Sequence, residues 1–176
     1  MTESLTVTYL LVLIILLGGA SWFVLRQVLR TRRTELSLTN LQQKLAKEKG
    51  SPEDYYELGS ILLSKKLYTQ AIVQFQKALK SKTLAPDLAA LIYNALGYAY
   101  STQDQYDLAL RQYKEALKLV PDYGIALKNL GFAYERKQLL SEAMEVYQKV
   151  LAADPTDSVA QKRVDSLQKR ILTPAP

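Results

Sequence analysis

The chain repeats itself. Between Ala90 and Tyr123 it carries Tyr93, Leu96, Gly97, Tyr100, Ala109, Tyr113, Ala116 and Pro121. Gly131 follows Gly97 by one full period of this pattern, with Leu130, Tyr134, Ala143, Tyr147 and Pro155 at matching offsets, and upstream Gly59 is accompanied by Leu58, Ala71, Phe75 and Ala78. Self-similarity at such a period marks stacked helical units, none of which can bury its apolar face without its neighbours. Glycine and alanine fall where two helices approach closely, and the aromatic residues fill the gaps between them. The pattern restricts the chain to a quasi-linear stack and assigns the repeat marks themselves to packing.

Between the marks the apolar spacing is helical, with no alternating strand pattern and no Asn-Gly or Asp-Gly hairpin turn, so the repeat region is all α. Helix pairs are predicted at 52–65 with 68–81, 87–102 with 105–119, and 122–137 with 139–152, followed by a single helix at 156–171. Gly50-Ser51-Pro52-Glu53-Asp54 marks a stop and a start: Gly50 can close one helix in a left-handed conformation, Ser51 can cap the next and Pro52 suits its first position. Pro86, Pro121 and Pro155 repeat that punctuation. The step from Gly59 to Gly97 exceeds the step from Gly97 to Gly131 by four, so an insertion near Ser81 to Pro86 is expected as a loop or a lengthened helix.

Ahead of the repeats, Leu5 to Leu25 is an apolar run without a charge. As a helix it extends about 32 Å, enough to cross a bilayer. A cleaved signal peptide or a buried core helix would share the apolarity. The flanks favour a retained transmembrane helix, because Glu3 precedes the run and Arg26, Arg30, Arg32 and Arg33 follow it, the reverse of a secretory signal. Tyr9 and Trp22 sit near its ends, where aromatic rings favour the headgroup level. The four arginines also set a topology, with the N-terminus out and the repeats on the cytoplasmic or stromal side. The predicted organisation is a short tail (1–4), the span (5–25), a basic helical stalk (26–50), a repeat domain (51–172) and a flexible tail (173–176). Within the repeat domain the units fall at about 52–85, 90–123 and 124–157, with a cap at 158–172.

Charge excludes some functions. The net charge of +6 is concentrated: residues 26–50 hold seven basic and two acidic residues, while the chain from Ser51 onward holds sixteen and fourteen. A repeat region so close to neutral does not offer a nucleic-acid-binding surface. The stalk charges either attract anionic lipid or serve only topology. With no cysteine and no histidine, imidazole or thiol catalysis and thiolate zinc sites are ruled out. There is also no glycine-rich phosphate loop. No cofactor, metal or small-molecule substrate is therefore expected, and the chain is read as non-enzymatic.

The repeat marks resemble the tetratricopeptide repeat, a helix–turn–helix unit of about 34 residues. With the anchor and stalk, the whole architecture resembles the cyanobacterial and plastid-encoded tetratricopeptide proteins that assist photosystem I assembly or stability in thylakoids. That resemblance implies a single-pass membrane factor whose α-solenoid grips photosystem I subunits or an assembly intermediate. A generic membrane tether, scaffold or chaperone for another complex would use the same parts. The family's groove offsets, counted from each repeat glycine, select Tyr56, Ser60 and Leu63, then Leu91, Asn94, Tyr98 and Ser101, then Lys128, Phe132 and Glu135. Tyr98 and Phe132 are the expected anchors. Of the clamp by which chaperone-binding relatives hold a terminal carboxylate, only Lys128 and Asn94 have counterparts.

Overall fold

The computed structural model describes residues 2–48, 50–82 and 84–172, with side chains from Leu11 onward except those of Arg30, Thr31, Arg33 and Thr34. Met1 and the expected flexible tail 173–176 lie outside the described residues. The chain divides into two compact units, residues 1–47 and 48–176.

The first unit is one helix, α1 (Thr2–Lys47), so the expected span and stalk share a continuous backbone. Among the described residues, Leu11–Leu29 is long and apolar enough to cross a membrane, and none of it is buried. It overlaps the sequence-read span of 5–25, whose first six side chains lie outside the described residues. Arg26 and Arg32 are exposed. Past Leu29 the helix continues to Lys47, a further rise of about 27 Å.

The second unit holds α2 (Pro52–Ser64), α3 (Tyr68–Leu79), α4 (Pro86–Ser101), α5 (Tyr106–Leu119), α6 (Gly124–Arg136), α7 (Leu140–Ala153) and α8 (Ser158–Leu172). Each helix packs on the next, and α2 also touches α4, as α4 touches α6. These are three antiparallel pairs and a closing helix, with no strand among the described residues. The α2 start is built as its sequence suggests. The Asp54 N–H donates to Ser51 Oγ at 3.2 Å, the Ser51 N–H donates back to the Asp54 carboxylate at 3.0 Å, and Pro52 opens the helix. This reciprocal capping satisfies two backbone donors that have no partner within the helix.

Each pair is locked by one aromatic ring laid over one glycine. A Cβ built on Gly59 would lie 2.5 Å from the Phe75 ring, one on Gly97 would lie 2.5 Å from Tyr113, and one on Gly131 would lie 2.8 Å from Tyr147. The three rings are almost wholly buried. Glycine is required here for its missing Cβ, not for an unusual backbone angle.

Left-handed backbone occurs elsewhere. Lys66, Asp104 and Gln138 have φ near +60°, each seven residues after a repeat glycine, in the turn between paired helices. There the N–H groups of Leu67, Gln105 and Leu139 reach back to the carbonyls of Leu62, Tyr100 and Tyr134 at 2.9–3.0 Å. The turns thus close the first helix of each pair with the six-to-one hydrogen bond that a left-handed residue permits. Gly50 does not take the left-handed cap expected of it, since no described glycine has positive φ. The four-residue insertion is a lengthened helix. Pro86 begins α4 eleven residues before Gly97, whereas Pro52 and Gly124 begin α2 and α6 seven residues before their glycines.

Candidate protein-binding groove

The first helices of the pairs, α2, α4 and α6, carry the positions that the groove offsets select. On α4 and α6 the apolar members are exposed: Leu91 (38%), Tyr98 (47%) and Phe132 (40%). They belong to a longer stripe that the sequence reading did not include in full. Ile125 lies one repeat period after Leu91 and is 56% exposed, and Val159 lies one further period on and is 54% exposed. The signal was present, because Ile125 precedes Gly131 by the same six residues that separate Leu91 from Gly97. These exposed apolar side chains recur at the same register on α4, α6 and α8, and apolar residues that gather on one face mark an interaction surface more reliably than scattered ones do.

The polar members are tied into the stack. The Lys128 ammonium meets the Asp157 carboxylate at 2.6 Å, joining α6 to the loop before α8. The same carboxylate accepts the N–H groups of Val159 and Ala160, and Lys128 first, then these amides, hold its pKa below the ordinary aspartate value. Asn94 accepts from Asn129 at 2.9 Å and donates toward the Tyr123 hydroxyl at 3.4 Å, linking α4 to α6. Ser101 is the most deeply buried of the selected residues. It is 8% exposed and hydrogen-bonds with Tyr113, the ring that covers Gly97. Its offset points inward because α4 is closing against α5 at that turn. Burial pushes the Tyr113 hydroxyl well above the usual tyrosine range.

In the first repeat the stripe lapses. Tyr56 is half-buried with its ring centre 6.0 Å from that of Phe75. Ser60 donates to its own helix at the Tyr56 carbonyl, 2.8 Å away, and Leu63 is half-buried. The selected positions therefore do not form one uniform groove. Their exposed apolar part lies on α4 and α6, where Ile125 adds to it and Val159 repeats it on α8, and the first repeat contributes mainly packing.

Glu135, at the last selected position, has only 10% of its side chain exposed. It accepts from the Tyr147 hydroxyl at 2.9 Å, and the guanidinium groups of Arg163 and Arg170 lie 3.6 and 3.8 Å from its carboxylate. Burial first, then this carboxylate, raises the Tyr147 pKa well above the usual range. Among the described residues no group of three or more acidic side chains gathers as metal ligands would.

Two tetratricopeptide-repeat family models match the chain, at residues 55–122 and 94–158. The ycf37 protein of Cyanophora paradoxa is 41% identical over 85% of this chain and 87% of its own length. The chain belongs to the tetratricopeptide-repeat family, within the ycf37 group. The chloroplastic tetratricopeptide protein PYG7 of Arabidopsis thaliana is 38% identical over 96% of the chain, which spans 56% of that longer protein. Among solved structures, MamA from Desulfovibrio magneticus superposes with a TM-score of 0.71 at 25% identity, over 83% of this chain and 80% of the other. The ycf37 relationship includes plastid proteins, and the tetratricopeptide solenoid is a protein-interaction fold. A function in binding another protein follows from both.

Proposed function

We propose that this ycf37-group protein is a non-catalytic, membrane-anchored factor that holds a protein client against the stripe Leu91, Tyr98, Ile125, Phe132 and Val159. The observation that carries the reading is the division of labour on the first helices. Their polar side chains bond one another across the stack, while apolar side chains in repeat register remain exposed. An extended or helical segment laid across the stripe would remove these groups from water. Tyr98 and Phe132, the largest of them, are the anchors, since truncation of aromatic anchors at interface centres commonly costs about 2 kcal/mol or more.

The apolar part of α1 is the anchor, and Arg26, Arg30, Arg32 and Arg33 hold the repeats on the cytoplasmic or stromal side. Confining the stripe near a membrane raises its effective concentration toward membrane-embedded clients. We take the client to be photosystem I, as subunits or an assembly intermediate in thylakoids. Whole-chain resemblance to that group and the chloroplastic location of the Arabidopsis relative support this.

Crosslinking in native thylakoids, followed by identification of captured proteins, tests the reading. Photosystem I core subunits should be recovered with the intact chain and lost with Tyr98→Ala/Phe132→Ala at unchanged abundance. Recovery of another membrane complex instead would make the chain a tether for that complex. Undiminished capture by the double variant would remove the groove assignment altogether. Protease added to oriented vesicles should cleave the repeats only from the cytoplasmic or stromal face.

A further inference from the structure

At the C-terminal end of the stripe, Phe132, Glu135, Arg136, Gln138, Arg163 and Arg170 surround a cavity of about 470 Å³. Its charge is unbalanced. Arg136 turns to the α4–α5 turn, where its Nε–H donates to the Tyr106 hydroxyl at 2.9 Å and its guanidinium stands 3.8 Å from Asp104. Arg163 and Arg170 are left to share the single carboxylate of Glu135, which already accepts from Tyr147. Their approaches of 3.6 and 3.8 Å are longer than the 2.7–2.9 Å or so of a charge-assisted hydrogen bond. Beyond these approaches, Arg170 donates to the Gln138 amide oxygen at 3.0 Å. Two half-exposed guanidinium groups thus face one nearly covered carboxylate at the rim of a cavity that also contains Phe132.

We infer that this cavity receives an acidic segment of the client, with a carboxylate bridging Arg163 and Arg170 and an adjacent apolar side chain resting on Phe132. The inference rests on the groove reading above and specifies the chemistry at one end of it. A carboxylate matches the two planar donor forks and neutralises the excess positive charge. A nucleic acid would need a far more extended basic surface than this domain, nearly neutral as a whole, offers. Glu135 holds the two arginines together before binding, so little side-chain ordering is left for the encounter. Arg163 and Arg170 lie on α8, so the closing helix does more than cap the stack. It supplies the charged end of the binding surface.

The test uses the full chain in lipid nanodiscs, probed with an array of short synthetic peptides in three matched sets. Each peptide carries leucine or phenylalanine; the sets differ in bearing Asp/Glu, Asn/Gln or phosphoserine. Acidic peptides should dominate the bound set. Arg163→Gln/Arg170→Gln should weaken the best of them by about tenfold and flatten their salt dependence. Lys149→Gln, which breaks an exposed pair elsewhere, should leave binding unchanged. A bound set no more acidic than the array, preference for phosphoserine, or acidic binding unaffected by the arginine variant would each overturn the inference. An unchanged melting temperature of the arginine variant confirms that loss of binding is local. If client capture in membranes survives the arginine variant but fails with Tyr98→Ala/Phe132→Ala, the groove reading stands and this inference falls; if both variants capture normally, both fall.

Discussion

Gly97→Ala should destabilise the repeat domain although alanine is the better helix former. The new Cβ would lie 2.5, 2.6 and 2.9 Å from three atoms of the Tyr113 ring, about 1 Å inside ordinary carbon–carbon contact. The ring is 1% exposed and its hydroxyl is bonded to Ser101, so it cannot swing into solvent. Overpacking of this kind costs about 1–3 kcal/mol, and a contact this short against a fixed ring belongs at the upper end. The propensity gain of about 1 kcal/mol offsets part of it and leaves roughly 2 kcal/mol. For a domain of this size that corresponds to a fall of about 5–10 °C in melting temperature. Thermal unfolding followed by near-ultraviolet tyrosine dichroism reports it, because every tyrosine except Tyr9 lies in the second unit. Gly124→Ala is the internal control: nothing approaches that Cβ within 4 Å, and its stability should hold or rise slightly. On a Tyr113→Leu background the cost of Gly97→Ala should shrink markedly. If Gly97→Ala melts no lower than Gly124→Ala, or keeps its full cost after Tyr113→Leu, the ring-over-glycine argument is refuted.

Lys66 holds φ at 61°, a conformation that costs a residue with a Cβ about 1 kcal/mol, so Lys66→Gly should raise the melting temperature slightly and Lys66→Val should lower it. The Lys128–Asp157 pair makes stability acid-sensitive. Because the folded-state pKa of Asp157 is depressed, its contribution is complete above the ordinary aspartate value of about 3.9 and declines as pH falls through the lower folded value. Asp157→Asn should therefore lower stability at neutral pH and flatten the acid limb of the stability profile, measured by denaturant unfolding at a series of pH values; an acid limb of unchanged slope would exclude the pair as its source.

Much of the fold was legible because helical packing imposes a rule on each residue separately. The small residue at 59, 97 and 131 and the ring sixteen residues later report one contact that recurs, so spacing alone identified the pairs. The cap at the start of α2 was legible for the same reason, as Ser51 and Asp54 act on backbone groups three residues away, whereas the left-handed cap expected at Gly50 did not form. Less of the groove could be read. Offset marked Leu91, Tyr98 and Phe132, which are exposed, no differently from Ser101, which is buried, because an offset gives direction along a helix and not the depth to which a neighbour covers it. Lys128 and Asn94 looked like ligand-binding groups until their partners Asp157 and Asn129 were visible across the stack.

The sequence by itself determined the all-α solenoid, its period and its apolar N-terminal helix, since each follows from periodicity and local chemistry. Only the tertiary structure decided which polar groups were already satisfied and that α8 brings Arg163 and Arg170 to Glu135. Those contacts join residues of successive units through the rotation between neighbouring helices, a quantity that no single helix encodes.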